Sequence, residues 1–186
     1  MTDTVITSNS KASDKDVSGL ELGTYRTATV AIDSDYFCAS GITFENTVVS
    51  APGDKGRQAQ CVITSTAETF GAIAAHHRSS PDDDTGFSFV RCVINGSGRV
   101  LLGRAWGTYS RTIYSYCYIE DMISPLGWSD WSDPSRQRTA VFGQYRCRGS
   151  GANTKGWVPW ARTFTSEEVR PYVDRNFING EQWLNL

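Results

Sequence analysis

Short runs in which apolar or aromatic side chains alternate with polar ones make up most of the chain. Such runs predict half-buried strands, and the Gly, Asn, Asp and Ser residues between them predict turns. A helical pattern is clear only at Ser166–Phe177, where Thr165 or Ser166 can cap the helix and Pro171 would interrupt or kink it. The expected strands are Thr27–Ile32, Phe37–Glu45, Ala59–Ser65, Gly86–Ile94, Thr112–Ile119 and Thr139–Tyr145.

Three of the strand endings resemble one another, because each places a cysteine after alternating aromatic or aliphatic residues. Their cysteines recur at intervals of about 25 to 30 residues, the length of one turn in many repeat proteins. The repeat predicts a β-solenoid, although two packed sheets fit the alternation equally well. The three segments are Phe89–Gly96 with Cys92, Tyr114–Asp121 with Cys117, and Gly143–Gly151 with Cys147.

Cysteine usage and charge exclude several classes of function. Five cysteines, at positions 38, 61, 92, 117 and 147, contain no CxxC pair, which argues against a zinc cluster. We expect them to be mostly unpaired, stacked in successive coils, with a Cys92–Cys117 disulfide as the most plausible exception. A formal net charge of -2 with scattered basic residues argues against a nucleic-acid partner, and no apolar run is long enough to span a membrane. The first residues are polar and show no secretory signal, so the chain is either cytosolic or lacks its true N-terminus.

Few residues are candidates for chemistry. The sequence has no G-x-S-x-G motif, and its two histidines, His76 and His77, are adjacent, so a Ser-His-Asp hydrolase is improbable. Adjacent residues on a strand face opposite ways, which makes these histidines poor joint metal ligands. The acidic run Asp82–Asp84 after Pro81 fits either a calcium loop or a solvated turn, and the turn is favoured.

One segment, Leu101–Arg111, combines a cation with an aromatic ring directly after an apolar strand. Arg104 and Trp106 are two residues apart, so they share a face if the strand continues. Arg104 could then clamp a carboxylate while Trp106 stacks on a sugar ring. The competing interpretation is a structural salt bridge beside a core tryptophan, and the spacing alone favours it.

The same segment, LGRAWGTYSR, followed by ISPLGWSDW at Ile123–Trp131, resembles the signature of the plant pectinesterases. That family shows LGRPW-x-x-YSR and then P-x-GW-x-x-W, and the proline is replaced here by Ala105. Further matches to the family are GTYRTATVAI at Gly23–Ile32, FCASGITFENT at Phe37–Thr47, GDKGRQA at Gly53–Ala59, TGFSFVRC at Thr85–Cys92 and FINGEQWL at Phe177–Leu184.

The resemblance implies an all-β fold, a right-handed parallel β-helix, with a short helical tail. It also implies hydrolysis of the methyl esters of galacturonan in pectin, giving demethylated pectin and methanol, without a metal or organic cofactor. One aspartate attacks the ester, and a second acts as acid and base. Residue by residue, Gln58 matches the first oxyanion glutamine, Arg104 the arginine that holds the nucleophile, and Trp106 the tryptophan that packs on the sugar.

The family pattern breaks immediately after Gln58. Relatives continue through a QDTL motif with the acid/base and a DFIFG motif with the nucleophile, and neither motif occurs in this chain. Ala59 instead runs directly into Gln60 and a segment that resembles the coil beyond DFIFG. We therefore interpret the chain as a single partial catalytic domain, 1–186, with an internal deletion at about Ala59/Gln60 and an absent N-terminal segment.

Three functions follow as alternatives: a pectinesterase with lost or weakened activity, a non-catalytic pectin- or partner-binding remnant, and a poorly folding fragment. The family further implies pectin as the main partner, a proteinaceous pectinesterase inhibitor as another, and the extracellular cell wall as the location. Substitute carboxylates at Asp33, Asp35 or Glu45 are not expected to replace the missing pair, because catalytic groups need positions accurate to about an ångström or better.

Overall fold

The computed structural model describes residues 4–8, 16–20, 37–46 and 57–178. Every strand pairing in it is parallel, which identifies a coiled solenoid and rules out the alternative of two packed antiparallel sheets. The predicted parallel β-helix is therefore confirmed. Its strands are β1 Thr4–Ser8, β2 Phe37–Asn46, β3 Arg57–His76, β4 Phe87–Val90, β5 Val93–Ala105, β6 Arg111–Ser115, β7 Tyr118–Ile119, β8 Trp128–Ser129, β9 Val141–Tyr145 and β10 Arg162–Thr163.

Each coil of the helix contributes to three faces. The first face contains the start of β2, the start of β3, and then β4, β6, β9 and β10. The second contains β1, the end of β2, the middle of β3, the start of β5 and β7. The third contains the end of β3, the end of β5 and β8. β3 and β5 are long because each bends from one face into the next.

A left-handed residue marks the bend between the first and second faces in three successive coils. Arg91, Tyr116 and Arg146 have φ angles of 56°, 58° and 50°. Each directly precedes one of the repeated cysteines, so the repeat seen in the sequence corresponds to this bend. A side chain with Cβ pays a modest cost in this conformation, which tight bends impose at single positions.

Aromatic rings stacked from coil to coil fill the centre. The rings of Phe89 and Tyr114 lie 4.6 Å apart at 9°, and those of Trp128 and Phe142 lie 4.8 Å apart. The Tyr114 hydroxyl donates to the carbonyl of Leu102 at 2.8 Å, which satisfies a polar group buried in the core. Offset stacks of this kind add to the stabilisation from apolar burial.

The structure alters several predicted element bounds. Phe37–Glu45 corresponds to β2, and Thr139–Tyr145 is shortened to β9. The predicted strands at Gly86–Ile94 and Thr112–Ile119 are each divided at the left-handed bend. Thr27–Ile32 lies outside the described residues. The third face was not anticipated over residues 70–76, because the sequence there is mostly apolar and shows no alternation with polar residues.

The C-terminal helix, α1, spans Ser166–Val173 and ends earlier than predicted. Thr165 is its N-cap: the Glu168 N–H donates to Thr165 Oγ1 at 3.3 Å, and the Thr165 N–H donates to Glu168 Oε2 at 2.8 Å. This reciprocal pair is a capping box. Pro171 lies inside the helix, which ends two residues later, as expected when a proline removes a backbone donor.

The cysteines partly follow their prediction. Cys117 and Cys147 are free thiols, so a Cys92–Cys117 disulfide is not formed. Cys92 and Cys117 are buried and Cys147 is half-buried. The hydrogen bond between the Cys117 and Cys147 thiols raises the pKa of Cys117 and lowers that of Cys147. The side chains of Cys38 and Cys61 lie outside those described.

Candidate functional site

Arg104 and Trp106 lie at the end of the third face, where β5 leaves the sheet. In the register of that face Arg104 stands between Ala75 and Ser129. The Arg104 guanidinium carbon lies 4.3 Å from the ring centroid of Trp131, and the Trp106 ring stacks on Trp131 at 6.4 Å and 27°. Both side chains thus contact one indole from the following coil. Trp106 lies one residue beyond the end of β5, so the turn after the strand, and not strand alternation, gives this shared contact.

The turn that carries Trp106 is fixed to the preceding coil. The Gly107 N–H donates to the carbonyl of His76 at 3.1 Å, and the Tyr109 N–H donates to that of Arg78 at 2.9 Å. A Cβ at Gly107 would lie 2.3 Å from the backbone nitrogen of Arg78, so only glycine allows this approach. The sequence WGTYS therefore places Trp106 by backbone contact.

The following coil holds the same turn from the other side. Arg136 Nη1 donates to the carbonyls of Ala105 at 2.6 Å and Trp106 at 3.0 Å, and its Nε donates to Asp133 Oδ2 at 3.0 Å. Asp133 also caps a short 3₁₀ helix, Pro134–Arg138. Trp106 is thus fixed by one coil on each side while its ring remains 36% exposed.

Trp131 is the residue of this site to which no role was assigned from the sequence. It follows β8 in a tight turn, where Trp131 and Ser132 have φ angles of 59° and 60°. The Trp131 N–H donates to Ser129 Oγ at 3.1 Å, and the Ser132 N–H donates to Asp130 Oδ1 at 3.0 Å. The sequence signal that could have identified Trp131 was its place as the last residue of the GW-x-x-W motif. Its ring is 39% exposed.

The charge of Arg104 is not neutralised by a carboxylate among the described residues. Its Nε is buried and has no hydrogen-bond partner there. Burial lowers the pKa of Arg104, but a guanidinium still remains protonated. Among the described residues Arg104 forms no ion pair, and Trp106 is partly exposed, so the alternative of a structural salt bridge beside a core tryptophan is not observed there. The ring of His77 lies 5.0 Å from that of Trp106. We call the group formed by Arg104, Trp106, Trp131 and His77 the Arg104 site.

Gln58 lies on the first face, in register with Cys38 and Ser88. Its side chain is outside those described, so its predicted oxyanion role remains a prediction. Among the possible substitute carboxylates, Asp33 and Asp35 lie outside the described residues. Glu45 is paired with Thr7 and Thr64 in the second face, which does not place it in register with Arg104.

The histidines and the acidic run have structural roles. His76 is fully buried and its Nδ1 accepts from the Arg111 N–H at 3.0 Å, whereas His77 is exposed, as expected for opposite faces. Asp82–Asp84 form an exposed turn held by buried Arg78, which donates to the carbonyls of Asp83 and Pro81. The favoured solvated turn is therefore observed.

No group of three potential ligands for a metal occurs in the part of the chain that the structure describes. The same residues contain no helix of the length and apolarity needed to cross a membrane.

Known proteins similar to this chain all point to one family. The family model described as Pectinesterase matches residues 59–181. Pectinesterase QRT1 of Arabidopsis thaliana is 48% identical over 238 residues, covering 99% of this chain and 63% of the relative. Putative pectinesterase 14 of the same plant is 44% identical over 126 residues, which cover 67% of the chain and 38% of the relative.

Two solved structures have the same fold. The pectin methylesterase from carrot superposes with a TM-score of 0.69 at 24% identity, covering 97% of this chain and 75% of that one. The pectin methylesterase from Aspergillus niger superposes with a TM-score of 0.65 at 25% identity, covering 78% of this chain and 48% of that one. The chain spans between about a third and two thirds of the length of the plant relatives named above. Because the family model matches well over half of it, the chain belongs to the pectinesterase family.

Proposed function

We propose that this chain retains the pectin-binding groove of a pectinesterase and hydrolyses the methyl esters of galacturonan only weakly or not at all. The observation that carries the proposal is Arg104: a half-buried guanidinium with no carboxylate partner among the described residues, in a sequence without QDTL or DFIFG. An arginine that orients a nucleophilic carboxylate needs that carboxylate within hydrogen-bond distance.

The residues present can support binding better than turnover. Trp106 and Trp131 offer two exposed rings at 27° to each other, on which sugar rings can pack. Gln58 would donate to the developing oxyanion if its amide reaches the ester. Neither the indole rings nor the glutamine amide can attack a carbonyl or protonate a leaving methoxide. Loss of the nucleophile typically removes most of an enzyme's rate enhancement and leaves what binding and oxyanion stabilisation supply.

An internal deletion at Ala59/Gln60 accounts for the missing motifs. Two comparisons support it: the family match begins at residue 59, and the alignment with QRT1 extends over 238 residues although this chain has 186. The relative therefore carries residues inside the aligned region that have no counterpart here. Loss of whole coils is compatible with a solenoid, in which each coil contacts only its neighbours.

The strand across the junction supports a folded product. β3 runs without a break through Ala59 and Gln60. It stays paired with β2 on both sides of the junction, with one register shift between Ser40 and Thr43. A junction inside a continuous paired strand keeps the following coils in register.

Partners and location follow the family in this proposal. Methyl-esterified pectin is the main ligand, a proteinaceous pectinesterase inhibitor is a second partner, and the cell wall is the place of action. The alternative function, a pectin-binding protein without any turnover, is the limiting case of this proposal and rests on the same Arg104, which has no carboxylate partner among the described residues. The two functions differ only in residual hydrolysis, so a sensitive activity assay separates them.

The test is methanol release from highly methylated pectin by the purified chain, with a full-length family member as positive control. We expect a rate at least about a thousandfold below the control, as for enzymes that lose a nucleophile. A rate within tenfold of the control would contradict the proposal and require catalytic carboxylates elsewhere in the chain.

A further inference from the structure

We propose that the Arg104 site binds the free carboxylate of a galacturonate residue, so that this chain recognises de-esterified pectin in preference to the methyl ester. The inference rests on the proposed function, since it assumes that pectin is the ligand. The inference goes further than the proposed function, because it states which form of pectin the groove prefers and which side chain determines that preference.

The first observation is the unsatisfied cation. Arg104 Nε is buried without a hydrogen-bond partner among the described residues, and no ion pair to Arg104 is found there. A buried donor on a charged group that lacks an acceptor is costly, more so than one on a neutral group. An anionic ligand beside this guanidinium offsets the cost of its partly buried charge, which a neutral ligand does only in part.

The second observation is the orientation of the guanidinium. Its carbon lies 4.3 Å from the Trp131 ring centroid, so the indole occupies one side of the cation. The N–H donors of a guanidinium lie in its plane and fit the two oxygens of a carboxylate in a bidentate pair. Trp131 therefore restricts Arg104 without using any of these donors.

The third observation concerns the neighbouring acids, which are already satisfied. Asp133 accepts from Arg136 and from Ser135, and Asp130 accepts from the side chain of Gln137 at 2.7 Å. Neither carboxylate forms an ion pair with Arg104 among the described residues. The cation of this site therefore remains available to an external anion.

A sugar acid fits the site better than an isolated anion. Trp106 and Trp131, 36% and 39% exposed, provide apolar platforms beside the cation. His77 adds a hydrogen-bonding ring next to Trp106 at 5.0 Å. A galacturonate residue presents both a pyranose ring and a carboxylate, whereas its methyl ester presents only a neutral carbonyl to Arg104. Charge-assisted hydrogen bonds are about twice as strong as neutral ones, which corresponds to roughly tenfold tighter binding of the acid.

The experiment measures binding of the full chain to two hexagalacturonates by calorimetry, one unesterified and one fully methyl-esterified, at low and moderate salt. We expect the unesterified oligosaccharide to bind roughly tenfold tighter, with the preference reduced by salt because it depends on charge. Arg104→Gln should bring the ratio of the two affinities close to one, and Arg104→Lys should retain part of it.

The matched control is Arg148→Gln, an exposed arginine on the second face, adjacent to Tyr118 and away from the Arg104 site. It should leave the preference unchanged, which separates local recognition from overall charge. Circular dichroism checks that each variant is folded, and the preference of the unmutated chain is informative without any variant.

Each outcome decides between the two proposals. Equal binding of both oligosaccharides, or tighter binding of the ester, would overturn this inference while leaving pectin as the ligand. A preference for the acid that survives in Arg104→Gln would also overturn it. Failure to bind either oligosaccharide would overturn the proposed function itself.

Discussion

Arg104 lies 4.3 Å above the indole of Trp131, and this contact is the main stabilising interaction of its guanidinium among the described residues. A cation over a tryptophan ring is worth about 0.5–2 kcal/mol, depending on how far it is removed from water. The contact with the indole face uses none of the guanidinium N–H donors, so it leaves them for a ligand.

Replacing Trp131 tests this relationship directly. Trp131→Ala should weaken binding of unesterified hexagalacturonate at least fivefold, because it removes a stacking surface and allows the Arg104 side chain to move. We also expect a loss of about 0.5–3 kcal/mol in the free energy of unfolding, because more than half of the residue is buried and its contact with Arg104 is lost. Calorimetric titration gives the affinity and thermal unfolding gives the stability.

The control for Trp131 is Tyr118→Ala, because Tyr118 is also an exposed aromatic, 45% accessible, but on the second face. It should leave the affinity unchanged. An equal loss of binding in both variants would mean that exposed rings bind the sugar without regard to Arg104.

Gly107 is expected to be indispensable for the position of Trp106. In Gly107→Ala the new Cβ would meet the Arg78 backbone at 2.3 Å and 2.5 Å, and a backbone cannot move aside as a flexible side chain can. We expect a loss of about 1–3 kcal/mol in the free energy of unfolding, as for overpacked sites, together with weaker sugar binding. Chemical denaturation measures the first effect.

Gly156→Ala provides the comparison for Gly107. Its nearest Cβ contact would be the carbonyl oxygen of Pro125 at 3.0 Å, and its next contact lies at 3.6 Å. This substitution should cost clearly less than Gly107→Ala. The reverse order of stabilities would show that the contact between Gly107 and Arg78 does not hold the turn.

Several features of the fold could be read from the sequence because they repeat. The cysteines of successive coils mark the bend at Arg91, Tyr116 and Arg146, and alternation located most strands of the first two faces but missed β1 and β10. The third face was harder to predict, because Ala72–Ala75 are all apolar and show no alternation of apolar and polar residues. Parallel pairing depends on contacts between residues about 25 to 30 positions apart, which a local pattern does not contain.

The candidate site could also be predicted only in part, because much of it depends on contacts between successive coils. The i, i+2 spacing predicted that Arg104 and Trp106 lie together, but the strand ends at Ala105 and the turn that follows it places Trp106. The contribution of Trp131 comes from the next coil and depends on the left-handed turn at Trp131 and Ser132, which no spacing rule predicts. Hydrogen bonds from Arg136 to the carbonyls of Ala105 and Trp106 are likewise tertiary contacts.

The thiols should differ in reactivity. Cys147 is half-buried and its pKa is lowered by the hydrogen bond with Cys117, whereas Cys117 is buried with a raised pKa. Because the thiolate is the reactive form, iodoacetamide should modify Cys147 before Cys117 in the folded protein, and at a lower pH than an ordinary thiol. Peptide mass spectrometry after timed labelling shows the order.

Denatured, unreduced protein is the reference for this labelling experiment. Both Cys117 and Cys147 should then react completely and at similar rates, since unfolding removes burial and the contact between them. A disulfide recovered between them would contradict the free thiols of the structure. Faster labelling of Cys117 in the folded state would contradict their assigned environments.

The capping box should make the stability of α1 sensitive to acid. The Thr165 backbone N–H is the main cause of the lowered pKa of Glu168, so the carboxylate binds protons less readily in the folded state than in the unfolded one. Its contribution is present above the ordinary pKa of a glutamate and is lost as the pH falls through the folded-state value. The difference in unfolding temperature between the unmutated chain and Glu168→Gln should therefore shrink on acidification below about pH 4.5.

Glu167→Gln is the matched control for Glu168, because Glu167 lies in the same helical turn and has no hydrogen bond to the cap among the described residues. Its effect should not follow the same pH profile. Identical profiles for the two variants would assign the acid sensitivity to the general charge of the helix N-terminus.

If the chain lacks whole coils at Ala59/Gln60, as proposed, restoring them should restore hydrolysis. We expect insertion of a family segment carrying QDTL and DFIFG between Ala59 and Gln60 to raise methanol release from methylated pectin by a thousandfold or more, because it supplies the two carboxylates that the proposed roles of Gln58, Arg104 and Trp106 require. The insertion falls inside β3, so the new coils must begin and end in the strand register of the first face. The control carries the same segment with the aspartate of DFIFG changed to asparagine, which preserves the coils and removes the nucleophile, and it should stay inactive.

The inserted protein should also lose the preference for unesterified hexagalacturonate, because the new aspartate pairs with Arg104 and repels the ligand carboxylate. Recovery of activity without loss of that preference would mean that Arg104 does not hold the nucleophile in this chain.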